Sequence, residues 1–318
     1  MGTPDAVTVL LPTSLPLSGE LPAGAVAASY DVAAAIPAEH RHAEVLVAWG
    51  NPQPRLEEAA RDLTRLRWVQ GLAAGPDQLL AAFGPEVVLT SGRSLHDRPV
   101  AEHTLALLLA AARRLDLALN AQRERRWAEE LGGLQPVDNQ GRLRTLRDAH
   151  VVIWGFGSIA ATLAPLLASL GARVSGIARS AGTRAGVPVV TDRDLPDLLP
   201  RTDILVSLLP ALPGTHHVVD AAVLGLLPSS AWFVNVGRGA TVDEAALVAA
   251  LREGRLAGAA LDVTETEPLP SASPLWDAPN LILTPHAAGG RPEHADALIA
   301  ENLAAYLAGR PLRNLVER

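Results

Sequence analysis

The sequence has no cysteine, and all 27 of its basic residues are arginine. The first absence removes disulfides, thiolate nucleophiles and cysteine-ligated metals. The second removes Schiff-base chemistry and a lysine-bearing P-loop. Positive charge is also in deficit: 34 acidic residues give a formal net charge of −7, which argues against nucleic acid as the main partner. No apolar run reaches the length of a membrane span, and no basic-then-apolar leader is evident. A soluble, cytoplasmic protein with no membrane partner is therefore expected. What is present is 318 residues, 48% of them hydrophobic, enough for two domains with a core each.

The organising stretch is Val151-Val152-Ile153-Trp154-Gly155-Phe156-Gly157-Ser158-Ile159-Ala160. Its apolar start reads as a buried parallel strand, and Gly155-x-Gly157-x-x-Ala160 is a dinucleotide fingerprint in its alanine-ending form. Gly155 suits a tight turn, Gly157 close approach of a pyrophosphate, and Ala160 close packing of the next helix. That helix is expected over 158–170 with Gly171 as its stop. The N–H groups at its start would face phosphates. A second strand is expected at 172–178.

Before this stretch, strands are expected at 7–11, 45–49, 68–70 and 87–90, with helices at 56–66 and 77–83 between them. The small-residue loop Gly71-Leu72-Ala73-Ala74-Gly75-Pro76-Asp77 is either an ordinary turn or an anion grip through the N–H groups of Ala74 and Gly75. A long helix is expected over 98–119, with Pro99 in its first turn and Glu102 and His103 near its start. Residues 120–145 are charged and glycine-interrupted around Trp127, which fits an oligomer interface or a plain surface excursion. Beyond 150, strands at 151, 172, 203, 231, 257 and 281 alternate with helices, the pattern of a doubly wound parallel sheet. A last helix at 293–308 returns to the first domain.

Three polar motifs end strands in the second half, where open α/β sheets hold their ligands. Asn235-Val236-Gly237-Arg238-Gly239-Ala240 exposes a guanidinium on a tight loop, for a carboxylate and a carbonyl or for structure alone. Asp262-Val263-Thr264-Glu265-Thr266-Glu267-Pro268 carries three acids, either functional or a solvated loop. Thr284-Pro285-His286-Ala287-Ala288 offers a general acid/base. An approach of Glu267 to His286 would raise the imidazole pKa. His216 and His217 are adjacent in a loop and read as surface or cofactor-loop residues rather than metal ligands, so no metal is expected.

Taken in order, these motifs resemble the NAD(P)-dependent D-2-hydroxyacid dehydrogenases, and Val100-Ala101-Glu102-His103 and Leu72-Ala73-Ala74-Gly75 are similar to segments of that family. The resemblance spans essentially the whole chain. It implies two Rossmann-like α/β domains with an active-site cleft between them: residues 1–97 plus 291–318 as a flavodoxin-like substrate domain, and 98–290 as the dinucleotide-binding domain. It implies hydride transfer between NAD(P)H and a small 2-keto acid or D-2-hydroxy acid such as glyoxylate or hydroxypyruvate. His286 would be the acid/base, Glu267 its partner and Arg238 the substrate anchor, with Ala74 and Gly75 holding the carboxylate. Cofactor contacts would fall on Gly155, Gly157, Ser158, Ile159, Pro210, Val236, Asp262 (toward the nicotinamide carboxamide) and His286. After the second strand, Arg179, Ser180 and Arg184 stand where NAD-specific enzymes place an acid, so NADP is expected over NAD. A homodimer is expected, as in most of the family. Phosphite oxidation and a cofactor-sensing, corepressor-like role also occur on this scaffold.

Overall fold

A computed structural model describes residues 6–17, 19–139 and 141–317. The chain divides into two units, Met1–His96 with Arg291–Arg318, and Asp97–Gly290.

The first unit is built on five parallel strands: β1 (Val7–Pro12), β2 (Ala25–Tyr30), β3 (Val45–Ala48), β4 (Trp68–Gly71) and β5 (Val88–Thr90). Their order is β2-β1-β3-β4-β5, that of flavodoxin-like sheets. Strand β2 has no counterpart among the expected strands. It is an alanine-rich edge strand, largely open to solvent, so no apolar alternation marks it. Helix α1 (Gln53–Asp62) begins three residues before the expected start. Pro52 and Pro54 open it, where the N–H that proline lacks has no helical acceptor to lose. Helices α2 (Asp77–Ala82) and α9 (Ala295–Leu307) complete the unit. A buried polar chain fixes α9 against the sheet. The Trp68 indole N–H donates to Thr90 Oγ1 (2.8 Å), while Thr90 Oγ1 (2.9 Å) and Asn302 Nδ2 (2.7 Å) both donate to Gln70 Oε1. Each of these four side chains is fully buried, so each polar atom left unpaired would carry a desolvation cost.

The second unit holds eight strands: β6 (His150–Trp154), β7 (Arg173–Ile177), β8 (Gly182–Arg184), β9 (Val187–Val190), β10 (Ile204–Ser207), β11 (Trp232–Asn235), β12 (Gly258–Leu261) and β13 (Leu281–Leu283). Their order is β13-β12-β11-β10-β6-β7-β9-β8, all parallel except β8 against β9. Both faces are covered. On β6, Val151 and Ile153 enter one apolar cluster while Val152 and Trp154 enter the other, which is why that strand reads as an unbroken hydrophobic run. Helices α5 (Ser158–Ser169), α6 (Leu195–Leu198), α7 (Ala221–Leu226) and α8 (Glu244–Arg252) follow strands of this sheet. The C-terminal ends of its parallel strands therefore lie along one edge.

One expectation is corrected here, and one element is added. The helix expected over 98–119 is two helices, α3 (Asp97–Arg113) and α4 (Leu115–Arg123). Arg114 between them takes a left-handed conformation (φ 49°). Its guanidinium grips Asp116 (3.0 and 3.2 Å) and Asn280 (2.8 Å) and lies over the Trp232 ring. The leucines that extend the apolar pattern past it, Leu115 and Leu119, are exposed. The run 182–190, to which the sequence reading assigned no element, is a hairpin whose central residues Ala185 and Gly186 both have positive φ, as a tight two-residue turn requires.

Candidate functional site

Gly155 follows β6 at φ +100°, and a side chain there would put its Cβ 2.7 Å from the Leu208 carbonyl oxygen. Only glycine satisfies both constraints. Gly157 is different: its backbone is extended and a Cβ would stand in open space. Helix α5 starts beside it with no side-chain cap, so N–H groups of its first turn meet no side-chain acceptor among the described residues, an arrangement suited to an anion. Ser158 turns its hydroxyl to Asp97 Oδ1 (2.8 Å). Arg184 donates to Phe156 O (2.9 Å) and to Ser180 O and Oγ (3.0 and 2.8 Å). It fastens the loop after β7 to the fingerprint turn, with Arg179 and Ser180 exposed beside it. Ile159 is half-buried against the core, Val236 is buried in it, and Pro210 is exposed. A glycine turn, an uncapped helix start and a basic loop one strand away fit a dinucleotide.

The acid/base candidates lie at the ends of β12 and β13. His286 Nδ1 is 2.7 Å from Glu267 Oε2; the two side chains are 46% and 35% exposed. The bond to Glu267 raises the His286 pKa, against the effects of burial and the Arg238 charge, with the Glu267 and Asp262 charges assisting. For Glu267, burial alone would raise the pKa. The bonds from His286 and the Thr264 N–H, with the charges of His286 and Arg238, outweigh it and leave the carboxyl below its usual range. With Nδ1 committed to Glu267, Nε2 is the ring nitrogen left for proton exchange.

Asp262 sits behind this pair, its side chain 1% exposed. Its Oδ1 accepts from Thr284 Oγ1 (2.6 Å) and the Ala287 N–H (2.9 Å), and its Oδ2 from the Ala288 N–H (3.0 Å). His103 Nε2 lies 3.1 Å from Oδ1 and 3.0 Å from Thr284 Oγ1. The backbone O of Asp262 accepts the His286 N–H at 2.7 Å. These bonds hold His286 at φ 51°, a conformation that costs a non-glycine residue about 1–3 kcal/mol. The carboxylate expected to face a nicotinamide is thus engaged in shaping the histidine loop.

Arg238 follows β11. Asn235, fully buried, builds its turn by donating to Arg238 O (3.1 Å) and accepting from the Gly237 N–H (3.1 Å). At Gly239 a Cβ would overlap the Thr264 carbonyl, so this turn and the acidic loop interlock. In the first unit, the N–H groups of Ala74 and Gly75 meet no acceptor among the described residues. Among the described residues, no group of three or more His, Cys, Asp or Glu is placed to hold a metal ion, and no helix is long and apolar enough to cross a membrane. His103, Thr284 and Asn235 are site residues without an assigned part in the sequence reading; standing within a quoted motif was their only signal.

Residues 105–288 match the model of the D-isomer specific 2-hydroxyacid dehydrogenase, NAD binding domain. The chain belongs to this family. It is 37% identical over 260 residues to a glyoxylate reductase of Aeropyrum pernix, covering 80% of this chain and 77% of that protein. Among solved structures, a D-isomer specific 2-hydroxyacid dehydrogenase from Xanthobacter autotrophicus in complex with NADPH and MES superposes with TM-score 0.72 at 34% identity, over 87% of this chain and 85% of that one. An NADPH-dependent glyoxylate/hydroxypyruvate reductase from Sinorhizobium meliloti, in complex with NADP and sulfate, gives TM-score 0.78 at 27% identity over 98% of both chains. This 2-hydroxyacid dehydrogenase is therefore an NAD(P)-dependent oxidoreductase with the two-domain Rossmann-type fold.

The two fingerprint glycines should separate stability from binding. Gly155→Ala is expected to lower the denaturation midpoint, whereas Gly157→Ala keeps it and weakens dinucleotide binding. Equal melting of the two variants would contradict this reading of the turn. The Glu267–His286 bond makes a second prediction. A raised histidine pKa adds stability that is lost as pH rises through the folded value, and a lowered carboxyl pKa adds stability that is lost as pH falls through the folded value. The pair therefore contributes most between the unperturbed values, 4.5 for the acid and 6.5 for the imidazole. Glu267→Gln should lower the His286 pKa in an NMR titration of its ring; an unmoved titration would mean that the bond is not formed in solution.

Proposed function

We propose that this dehydrogenase reduces a small 2-keto acid to the D-2-hydroxy acid, with NADPH preferred over NADH. The observation that carries the reading is the Glu267–His286 bond of 2.7 Å, which holds a proton on an imidazole at the end of a parallel strand. The named activities of the relatives, glyoxylate reductase and glyoxylate/hydroxypyruvate reductase, support the substrate class.

In this reading the bound nicotinamide supplies the hydride for C2 of the keto acid. His286 Nε2 gives a proton to the carbonyl oxygen, and Glu267 stabilises the imidazolium until then. Arg238 binds the substrate carboxylate and offsets charge building on the oxygen. The Ala74 and Gly75 N–H groups are assigned to a substrate carboxylate, supported by their meeting no acceptor among the described residues. Asp262, Thr284 and His103 keep the imidazole in its orientation.

The preference for NADPH rests on charge. Past β7 the chain runs Ala178-Arg179-Ser180-Ala181 with no acid, and Arg184 holds Ser180 in place. A guanidinium and a hydroxyl suit a 2′-phosphate, and nothing there favours bare ribose hydroxyls. Two solved relatives are in complex with NADPH and NADP, which supports the reading. A homodimer is proposed through the segment 98–150, where Trp127 is 86% exposed and Leu134 and Val137 are exposed as well.

Cofactor oxidation at 340 nm, with glyoxylate, hydroxypyruvate, pyruvate and phenylpyruvate, tests the reading. Turnover of at least one acid is expected, with NADPH bound more tightly than NADH. Arg179→Ala should weaken NADPH about tenfold and leave NADH nearly unchanged. Dinucleotide binding without turnover of any keto acid would overturn the substrate class, and tighter NADH binding would overturn the cofactor preference.

A further inference from the structure

The loop that carries Glu267 is held by a second acid–histidine pair that the chemistry above does not use. His217 Nε2 lies 2.6 Å from Glu265 Oε1. Its ring stacks on His216 at 4.0 Å between centroids. Its backbone N–H donates to Ala240 O at 2.9 Å, two residues past Arg238, and its φ of 49° is left-handed. Glu265 is clasped in turn by the start of α8: its N–H donates to Glu244 Oε1 (2.7 Å), and its Oε1 accepts the Glu244 N–H (3.4 Å). The preceding residue, Thr264, donates its N–H to Glu267 Oε1 (3.0 Å) and its hydroxyl to Thr266 O (2.9 Å). Four segments thus meet at Glu265: the loop after β10, the Arg238 turn, α8 and the Glu267 loop.

We propose that His217 is a positioning residue for the reaction: its bond to Glu265 seats the 264–267 loop so that Glu267 stays on His286, and it ties the loop after β10 to the acid/base pair. The inference rests on the reductase reading and adds to it a residue to which that reading assigns no contact with substrate or cofactor. A left-handed histidine persists only where its surroundings over-determine it. An ion pair this exposed adds little to stability. The combination points to geometry as its use. The charged groups facing His217 are Glu265 and Glu244. Those facing His286 are Glu267, Arg238 and Asp262, with His103 behind Asp262.

The test compares His217→Ala, His217→Gln, Glu265→Ala and the double alanine variant in the full-length enzyme, by steady-state kinetics and by NMR titration of His286. In His217→Ala, kcat should fall about tenfold, with KM for the keto acid within about twofold of wild type and an unchanged melting midpoint. His217→Gln, which still donates an N–H, should recover most of the loss. Glu265→Ala should match His217→Ala, and the double variant should be no worse than either. The His286 pKa should move down toward its ordinary value in both alanine variants. Wild-type kcat with an unmoved His286 titration in His217→Ala, or losses that multiply in the double variant, would overturn the proposal. The titration needs no turnover. A shifted His286 in an enzyme that turns over no keto acid would sink the reductase reading alone, and full turnover indifferent to His217 would sink this inference alone.

Discussion

The candidate site depends on one buried carboxylate. Asp262 is withdrawn from water at the end of β12, and its charge is met by the Thr284 hydroxyl, two backbone N–H groups and the His103 ring. Burying a carboxylate is costly unless its oxygens are hydrogen-bonded. Satisfying it draws residues 284–288 into a tight turn, and that turn sets His286 at a left-handed φ facing Glu267. The His286 N–H also reaches Thr284 O (3.1 Å), so the turn closes on itself above the Asp262 carboxylate. The acid/base pair is thus a consequence of how one charge is compensated below it.

A parallel sheet makes this economical in sequence. Strands β6, β10, β11, β12 and β13 end at one edge, so the fingerprint turn, the Arg238 turn, the acidic loop and the histidine loop fall side by side from stretches far apart in the chain. Glycine brings the loops close: Gly155 lies on the Leu208 backbone, and Gly239 lies on the Thr264 carbonyl. At both positions the absence of a side chain is what allows two backbones to approach.

The parts of this fold written in local pattern were legible. The apolar runs of β6, β10, β11 and β12, the glycine stop after α5, and the polar motifs at the strand ends all follow from short-range rules. What escaped depended on tertiary partners or lacked an apolar signal. Strand β2 is an exposed edge of alanines. In the β8–β9 hairpin, β8 is Gly-Thr-Arg and Pro188 interrupts the valines of β9. The break at Arg114 is set by Asp116, Asn280 and Trp232, the last two far away in sequence. Within the site, His286, Glu267 and Arg238 could be singled out because their neighbours form motifs. The His103–Thr284 contact spans 181 positions, and the left-handed state of His286 has no residue-type signature, since histidine rarely needs it.

The account rests on His286 delivering a proton to the substrate carbonyl while C2 is reduced. Following deuterium from C4 of labelled NADPH into the product, across the pH range in which His286 titrates, tests this most directly. Deuterium at C2 of the hydroxy acid, formed at a rate that declines as His286 loses its proton, is the predicted result. Cofactor oxidation that leaves no deuterium at C2, or a rate indifferent to pH through that titration, would contradict it.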